Sequence, residues 1–211
     1  MKQTGFNPVL TWVNNVTPLP GNWQSRCKNV ADTVQIKVSD RQMGLLRRVD
    51  SEDYSRIAKK AELDLRSQGV TPMESERAIY ALKQYYAVAV INPQNMHAIG
   101  YMVDPYWHAH ILHTERYEQF CREAIGYFMH HRPLDHDEEQ KVAAICELYD
   151  YTLDILNVIF NGHVDQAFWE KDPPTNRVMC SHSESPLLAI PGEEQFEPNL
   201  RLLAMRHLTF A

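Results

Sequence analysis

The sequence lacks the features that mark several large protein classes. No apolar run approaches the roughly 18–20 residues that a membrane-spanning helix needs. The opening MKQTGFNPVLTWVNN shows neither the basic segment nor the apolar core of a secretory signal. Glycine is scarce, with 8 in 211 residues, which excludes a collagen-like repeat. We therefore expect a globular, cytoplasmic protein without a membrane span.

Cysteine and positive charge are both in short supply. The four cysteines are widely spaced and form no CxxC pair, so neither a disulfide scaffold nor a cysteine-type zinc site is expected. We interpret them as reduced thiols. The chain has 21 Lys and Arg against 27 Asp and Glu, a net charge of -6. This balance argues against a nucleic-acid binder, so the expected partner is a protein or a small molecule.

Helical patterns dominate the middle of the chain. Helix start and stop signals recur through residues 39–169, between an irregular arm at 1–38 and a proline-containing, partly extended tail at 170–211. They predict a mainly all-α fold, an antiparallel bundle of about four to five helices. The helical pattern begins at Ser39. A helix capped by Asp50 or Ser51 is expected to run to about Gln68, and a later one to cover about 105–125, with Gly126 as its stop.

Histidines are clustered in one part of this sequence. Six of its 10 histidines fall between His108 and His136. In helical geometry Asp104 and His108 lie one turn apart on the same face. His110 instead shares the more apolar face of that helix with Tyr117, so its side chain is expected to point inward. The segment from Asp104 onward is therefore the candidate functional centre.

The residue types in this segment suit a divalent metal. Imidazole and carboxylate ligands are typical of zinc and of non-haem iron, and a bound ion of this kind supports hydrolysis of a substrate by water. The predicted metal ligands are Asp104, His108, His110 and His131, the predicted catalytic base is His113, and the predicted lining residues are Trp107 and Tyr117.

Two alternatives stay open at this point. His131 follows His108 by 23 residues, or ~35 Å along an unbroken helix, so the two share a site only if that helix breaks early. The other alternative is a non-catalytic interaction or structural domain. In that domain Asp104 caps a helix, and the histidines are hydrogen-bonded core and turn residues.

A short signature surrounds the histidine cluster. Asp-x-x-Trp-His-x-His stands here as Asp104, Trp107, His108 and His110, and an aromatic, a cysteine and a glycine-then-histidine turn follow, as Tyr117, Phe120, Cys121, Gly126, His130, His131, Arg132 and Pro133. Over about residues 75–135 the chain thereby resembles the glycine-rich-domain-containing-protein-like family. The glycine-rich region that names its plant members is missing here. The resemblance implies a helical domain with a shared polar site, and no particular reaction.

Overall fold

The computed structural model of the protein describes residues 29–65, 72–133, 139–161, 163–171, 173 and 178–182. Within these ranges the chain is mainly helical, as predicted. The helices are α1 (Asp40–Ser51), α2 (Ser55–Asp64), α3 (Pro72–Ile91), α4 (Asp104–Ile111), α5 (Thr114–Phe120), a π-helical turn (Cys121–Ile125) and α6 (Glu139–Phe160). The strands are β1 (Ala98–Gly100), β2 (His131–Pro133) and β3 (Val178–His182).

The first described helix begins directly after Ser39, where the helical pattern of the sequence begins. Ser39 caps α1: its hydroxyl accepts from the Gln42 N–H, and Gln42 Oε1 accepts from the Ser39 N–H at 3.0 Å. This reciprocal capping box satisfies two of the exposed N–H groups of the first turn. Asp50, expected to start a helix, instead lies near the end of α1. Its carboxylate accepts the N–H groups of Val30 and Ala31, both at 2.9 Å.

A small sheet departs from the pure bundle of four to five helices that the sequence predicts. The three strands are antiparallel in the order β1-β3-β2, with Ala98 opposite Ser181 and His131 opposite His182. Strands of three to five residues are too short to show an alternating pattern. Residues 178–182, assigned to a partly extended tail, form the central strand. The arm before residue 29 and the tail after residue 182 lie outside the described residues, and the division into three parts stays a prediction.

The core is organised around α3. Every residue from 80 to 92 is buried, which explains why the last turns of this helix carry no polar face. None of the helices in the described ranges is long and apolar enough to cross a membrane.

A buried ion pair joins α3 to the segment after α6. Arg77 donates two hydrogen bonds to the Asp165 carboxylate, at 2.7 and 3.0 Å, and its guanidinium lies 5.3 Å from the centre of the Phe168 ring. The two charged side chains are 12% and 4% exposed. Because a bidentate pair satisfies both charges at once, the pair is tolerated at this depth.

We expect Asp165→Ala to lower the free energy of unfolding by about 3–5 kcal/mol, because the substitution leaves the Arg77 charge buried without its partner. Urea unfolding measures this change. The matched control is Asp64→Ala, which removes the exposed pair between Lys60 and Asp64 on α2 and is expected to cost less than about 1 kcal/mol. Equal costs for the two variants would contradict the assignment.

Candidate metal centre

The helix predicted over 105–125 is broken in the structure. It begins one residue earlier than predicted, at Asp104 with Pro105 in the first turn, and Val103 rather than Asp104 is the N-cap residue; α4 then ends at Ile111, and α5 begins at Thr114. Between them the backbone of His113 leaves the helical region, with φ -89° and ψ 62°. The His113 ring lies back against α4, where its Nδ1 is 2.7 Å from the Ala109 carbonyl oxygen.

The break allows the chain to return to α4. After the π-helical turn, Gly126 adopts φ 94°, a conformation that glycine reaches without strain. Tyr117 then holds the returning segment in place through two hydrogen bonds. Its hydroxyl accepts from Trp107 Nε1 at 3.1 Å and donates to the Met129 carbonyl at 2.7 Å. His131 is thereby brought beside α4, so the ~35 Å separation expected for an unbroken helix is wrong for this chain.

Three of the four predicted metal ligands meet at the start of α4. His131 Nε2 lies 2.7 Å from His108 Nε2 and 3.8 Å from Asp104 Oδ1. His108 Nδ1 lies 3.4 Å from Asp104 Oδ2. The carboxylate and the two imidazoles therefore form one cluster, although they come from α4 and from β2.

Cys180 completes this cluster, and the sequence reasoning missed it. Its thiol, on the central strand β3, donates to Asp104 Oδ1 at 2.9 Å. One ligand atom each from Asp104, His131 and Cys180 lie within 4.8 Å of one another. Burial, together with the Asp104 carboxylate beside it, raises the pKa of the Cys180 thiol well above its usual value. No spacing rule links residues 76 positions apart, so the sequence carries no signal for this contact.

The four side chains differ in their access to solvent. Asp104 is 5% exposed and His131 is 19% exposed, whereas His108 is 48% exposed. Cys180 is buried at 1%. The cluster consequently consists of a buried carboxylate and thiol and a mostly buried imidazole, with His108 at its solvent edge.

The Trp107 side chain packs against the cluster. It is fully buried, and its ring centre lies 5.0 Å from that of His131. On its other side it packs edge-on against Tyr85. The predicted lining residues thus both help to position His131. Trp107 does so by ring contact, and Tyr117 by its hydrogen bond to the backbone of Met129.

His110, the fourth predicted ligand, lies away from the cluster. As expected from the apolar face of α4, it points inward and is fully buried. Its Nδ1 is 2.8 Å from the Tyr86 hydroxyl, and its Nε2 has no hydrogen-bond partner in the described part of the chain. The rings around it are Tyr54, Tyr86, Tyr117 and Phe120. Burial, reinforced by the charge of Arg116, lowers the pKa of His110 to about 3.

A surface cavity of about 420 Å³ lies elsewhere, between α1 and the segment from α5 to the π-helical turn. None of the four cluster residues lines it. Its charged groups are engaged with each other or with backbone, since Arg116 pairs with Glu52 and Arg48 donates to the Glu123 carbonyl.

Comparison with known proteins gives one match. A sequence model of the UCP032817-like family matches residues 45–150, half of the chain. The chain belongs to the UCP032817-like family. The part shared with this family carries Asp104, His108 and His131, whereas Cys180 lies beyond it. No curated protein and no solved structure matches the chain. The resemblance to the glycine-rich-domain-containing-protein-like family stays a prediction.

We expect His110 to make stability depend on pH. The unfolded imidazole takes up a proton near pH 6.5, whereas His110 in the fold does so only at about pH 3. Between these values the unfolded state binds more protons, so the free energy of unfolding falls as pH decreases. For this residue the loss from pH 7.5 to 4.5 is on the order of 3 kcal/mol.

Urea unfolding of His110→Gln in EDTA isolates this contribution, because the variant is expected to lose less stability than the parent protein over that pH range. His130→Gln, which changes an exposed imidazole, is the control and is expected to follow the parent profile. Parallel profiles for the parent and His110→Gln would contradict the assignment of a neutral, buried His110.

Proposed function

We propose that this protein binds a divalent transition metal through Asp104, His131 and Cys180. The observation that carries the proposal is the convergence of the three ligand atoms within 4.8 Å, from three separate elements. Aspartate, imidazole and thiolate are all common ligands of zinc. A cation at this position also compensates the burial of the carboxylate.

The spacing of the ligand atoms supports this proposal. In tetrahedral zinc sites, a sulfur and an oxygen ligand lie about 3.5 Å apart, and an oxygen and a nitrogen ligand about 3.3 Å apart. Here Cys180 Sγ and Asp104 Oδ1 are 2.9 Å apart, and Asp104 Oδ1 and His131 Nε2 are 3.8 Å apart. Shifts of about half an ångström reach the tetrahedral spacings, which side-chain rotation supplies.

Zinc fits the donor set better than iron does. Asp104, His108 and His131 alone are a two-histidine, one-carboxylate set, which is typical of non-haem iron. Thiolate together with imidazole favours zinc, and Cys180 adds that thiolate. Because a ligating sulfur must lose its proton, binding of the ion replaces the thiol hydrogen bond between Cys180 and Asp104.

The reaction class that we propose for the site is hydrolysis. A bound zinc ion supplies Lewis acidity, which activates water. His113 is the proposed general base, and its Nδ1 must donate to the Ala109 carbonyl, since an oxygen of that kind only accepts. In the neutral ring Nε2 then carries the lone pair that a base needs. A small molecule is the proposed substrate class.

A non-catalytic role is the second candidate, and the hydrogen bonds of the cluster favour it. Cys180 donates to Asp104 at 2.9 Å, and the contact between His108 and His131 is itself of hydrogen-bond length. In this alternative the cluster holds β2 and β3 against α4. The protein is then a structural or protein-interaction domain.

Metal binding separates these candidates. We expect untagged protein to bind one zinc ion, and zinc at 100 times its Kd to stabilise the fold by about 2.7 kcal/mol, a rise in Tm of roughly 5–10 °C. Cys180→Ser keeps a hydroxyl that donates to Asp104 but removes the thiolate, so it is expected to lose most of the zinc-dependent rise. Calorimetry and thermal melts measure both effects.

The matched control is Cys121→Ser. Cys121 is equally buried, and burial raises its pKa to about 11, but it lies on the π-helical turn outside the cluster. Its zinc-dependent rise in Tm is expected to equal that of the parent protein. A Tm that neither zinc nor EDTA changes would refute the metal site and leave the structural role.

Hydrolysis has its own test with the ester 4-nitrophenyl acetate as probe. We expect zinc-loaded protein to hydrolyse it faster than metal-free protein, and His113→Ala to lose roughly 100-fold in rate, as removal of a general base predicts. His130→Ala, which changes an exposed imidazole, is the control. A full rate in His113→Ala would remove that residue from the mechanism, and equal rates with and without zinc would refute hydrolysis.

A further inference from the structure

His108 differs from the other members of the cluster in exposure. Its side chain is 48% exposed, against 5% for Asp104 and 19% for His131, and Cys180 is buried. A ligand that leaves a metal must be rehydrated and must have room to move. Among these four side chains, only His108 meets both conditions.

The two ring nitrogens of His108 already face the cluster. Its Nε2 lies 2.7 Å from His131 Nε2, and its Nδ1 lies 3.4 Å from Asp104 Oδ2. Two imidazole nitrogens on one tetrahedral zinc ion lie about 3.3 Å apart, so a small movement of His108 brings its Nε2 to the same ion as His131. The other three side chains are less exposed than His108 and therefore have less room to move.

We propose that His108 is the exchangeable fourth ligand of the metal site, and that the position it vacates accepts a small neutral donor of the imidazole type. The proposal rests on the proposed function above. It assigns the site one open position toward solvent, which distinguishes it from a closed structural zinc site with four buried ligands.

The preference for a neutral donor follows from charge. Asp104 and the Cys180 thiolate together offset the two positive charges of the ion, and the imidazole of His131 adds none. An anionic fourth ligand would leave this mostly buried site with a net negative charge, which is unfavourable. The nearest cation in sequence, Arg132, contacts the Met96 sulfur at 3.3 Å, and because successive side chains of a strand point to opposite faces, its side chain is not on the same face as that of His131.

Cobalt(II) is the probe for this proposal, because its visible absorption reports the number and type of its ligands. Untagged parent protein is expected to show a four-coordinate spectrum with a thiolate band. His108→Ala should retain the thiolate band and change the visible bands. Added imidazole should then restore the parent spectrum, with a Kd at least tenfold lower than for the parent protein, in which His108 competes.

Two further variants make the result specific. His108→Gln keeps a polar side chain of similar reach, and it is expected to respond to imidazole as His108→Ala does. His130→Ala, which removes an exposed imidazole that is not a member of the cluster, is the matched control and should give the parent spectrum. Azide, a small monodentate anion, is expected to bind His108→Ala at least tenfold more weakly than imidazole does.

The outcomes separate this proposal from the metal site itself. If the parent protein takes up no cobalt, the metal site fails and this proposal fails with it. If the parent binds cobalt and His108→Ala gives the same spectrum, or gives no response to imidazole, only the role of His108 is overturned. If azide binds as tightly as imidazole, the preference for a neutral donor is overturned.

Discussion

The backbone hydrogen bonds of β3 tie together parts of the chain that are far apart in sequence. This strand pairs with β1 on one side and with β2 on the other. It places His182 opposite His131 and Cys180 opposite Pro133, so the thiol and the imidazole of the cluster reach the start of α4 together. Without β3, the strands β1 and β2 have no common partner.

A second set of hydrogen bonds, made by side chains of the helices, also positions the residues of the cluster. Tyr117 links the Trp107 ring to the Met129 backbone, which fixes how the chain returns after the helix break. The sheet determines where β2 lies, and this link determines how its first residue faces α4. The position of His131 is therefore determined by two sets of contacts, the backbone pairing of the sheet and the buried side chains.

The features that local chemistry decides were predictable from the sequence. Proline and acidic residues start α3 and α4, and Gly126 stops the π-helical turn with a positive φ. The break at His113 was not predictable, because the residues around it are compatible with a continuous helix. The inward orientation of His110 follows from helical periodicity alone, whereas its neutral state requires knowledge of the rings around it.

The candidate site divides in the same way. Asp104 and His108 are one helical turn apart, so their proximity is a local property of α4. His131 joins them only because the helix breaks, and Cys180 joins only through strand pairing. A count of histidines alone predicts more histidine ligands than the cluster contains, since His110 belongs to the aromatic core. The same count misses one member of the cluster, since a thiol is one of the four groups.

The separation of Asp104 from Cys180 has a consequence for synthesis of the chain. Cys180 follows Asp104 by 76 residues, so at typical elongation rates it leaves the ribosome roughly 4–15 s later. During that interval β1 and β2 lack the strand that lies between them, and their unpaired backbone groups are open to pairing with other chains. The nascent protein therefore passes through a stage in which its sheet edges need protection, before Cys180 can meet Asp104.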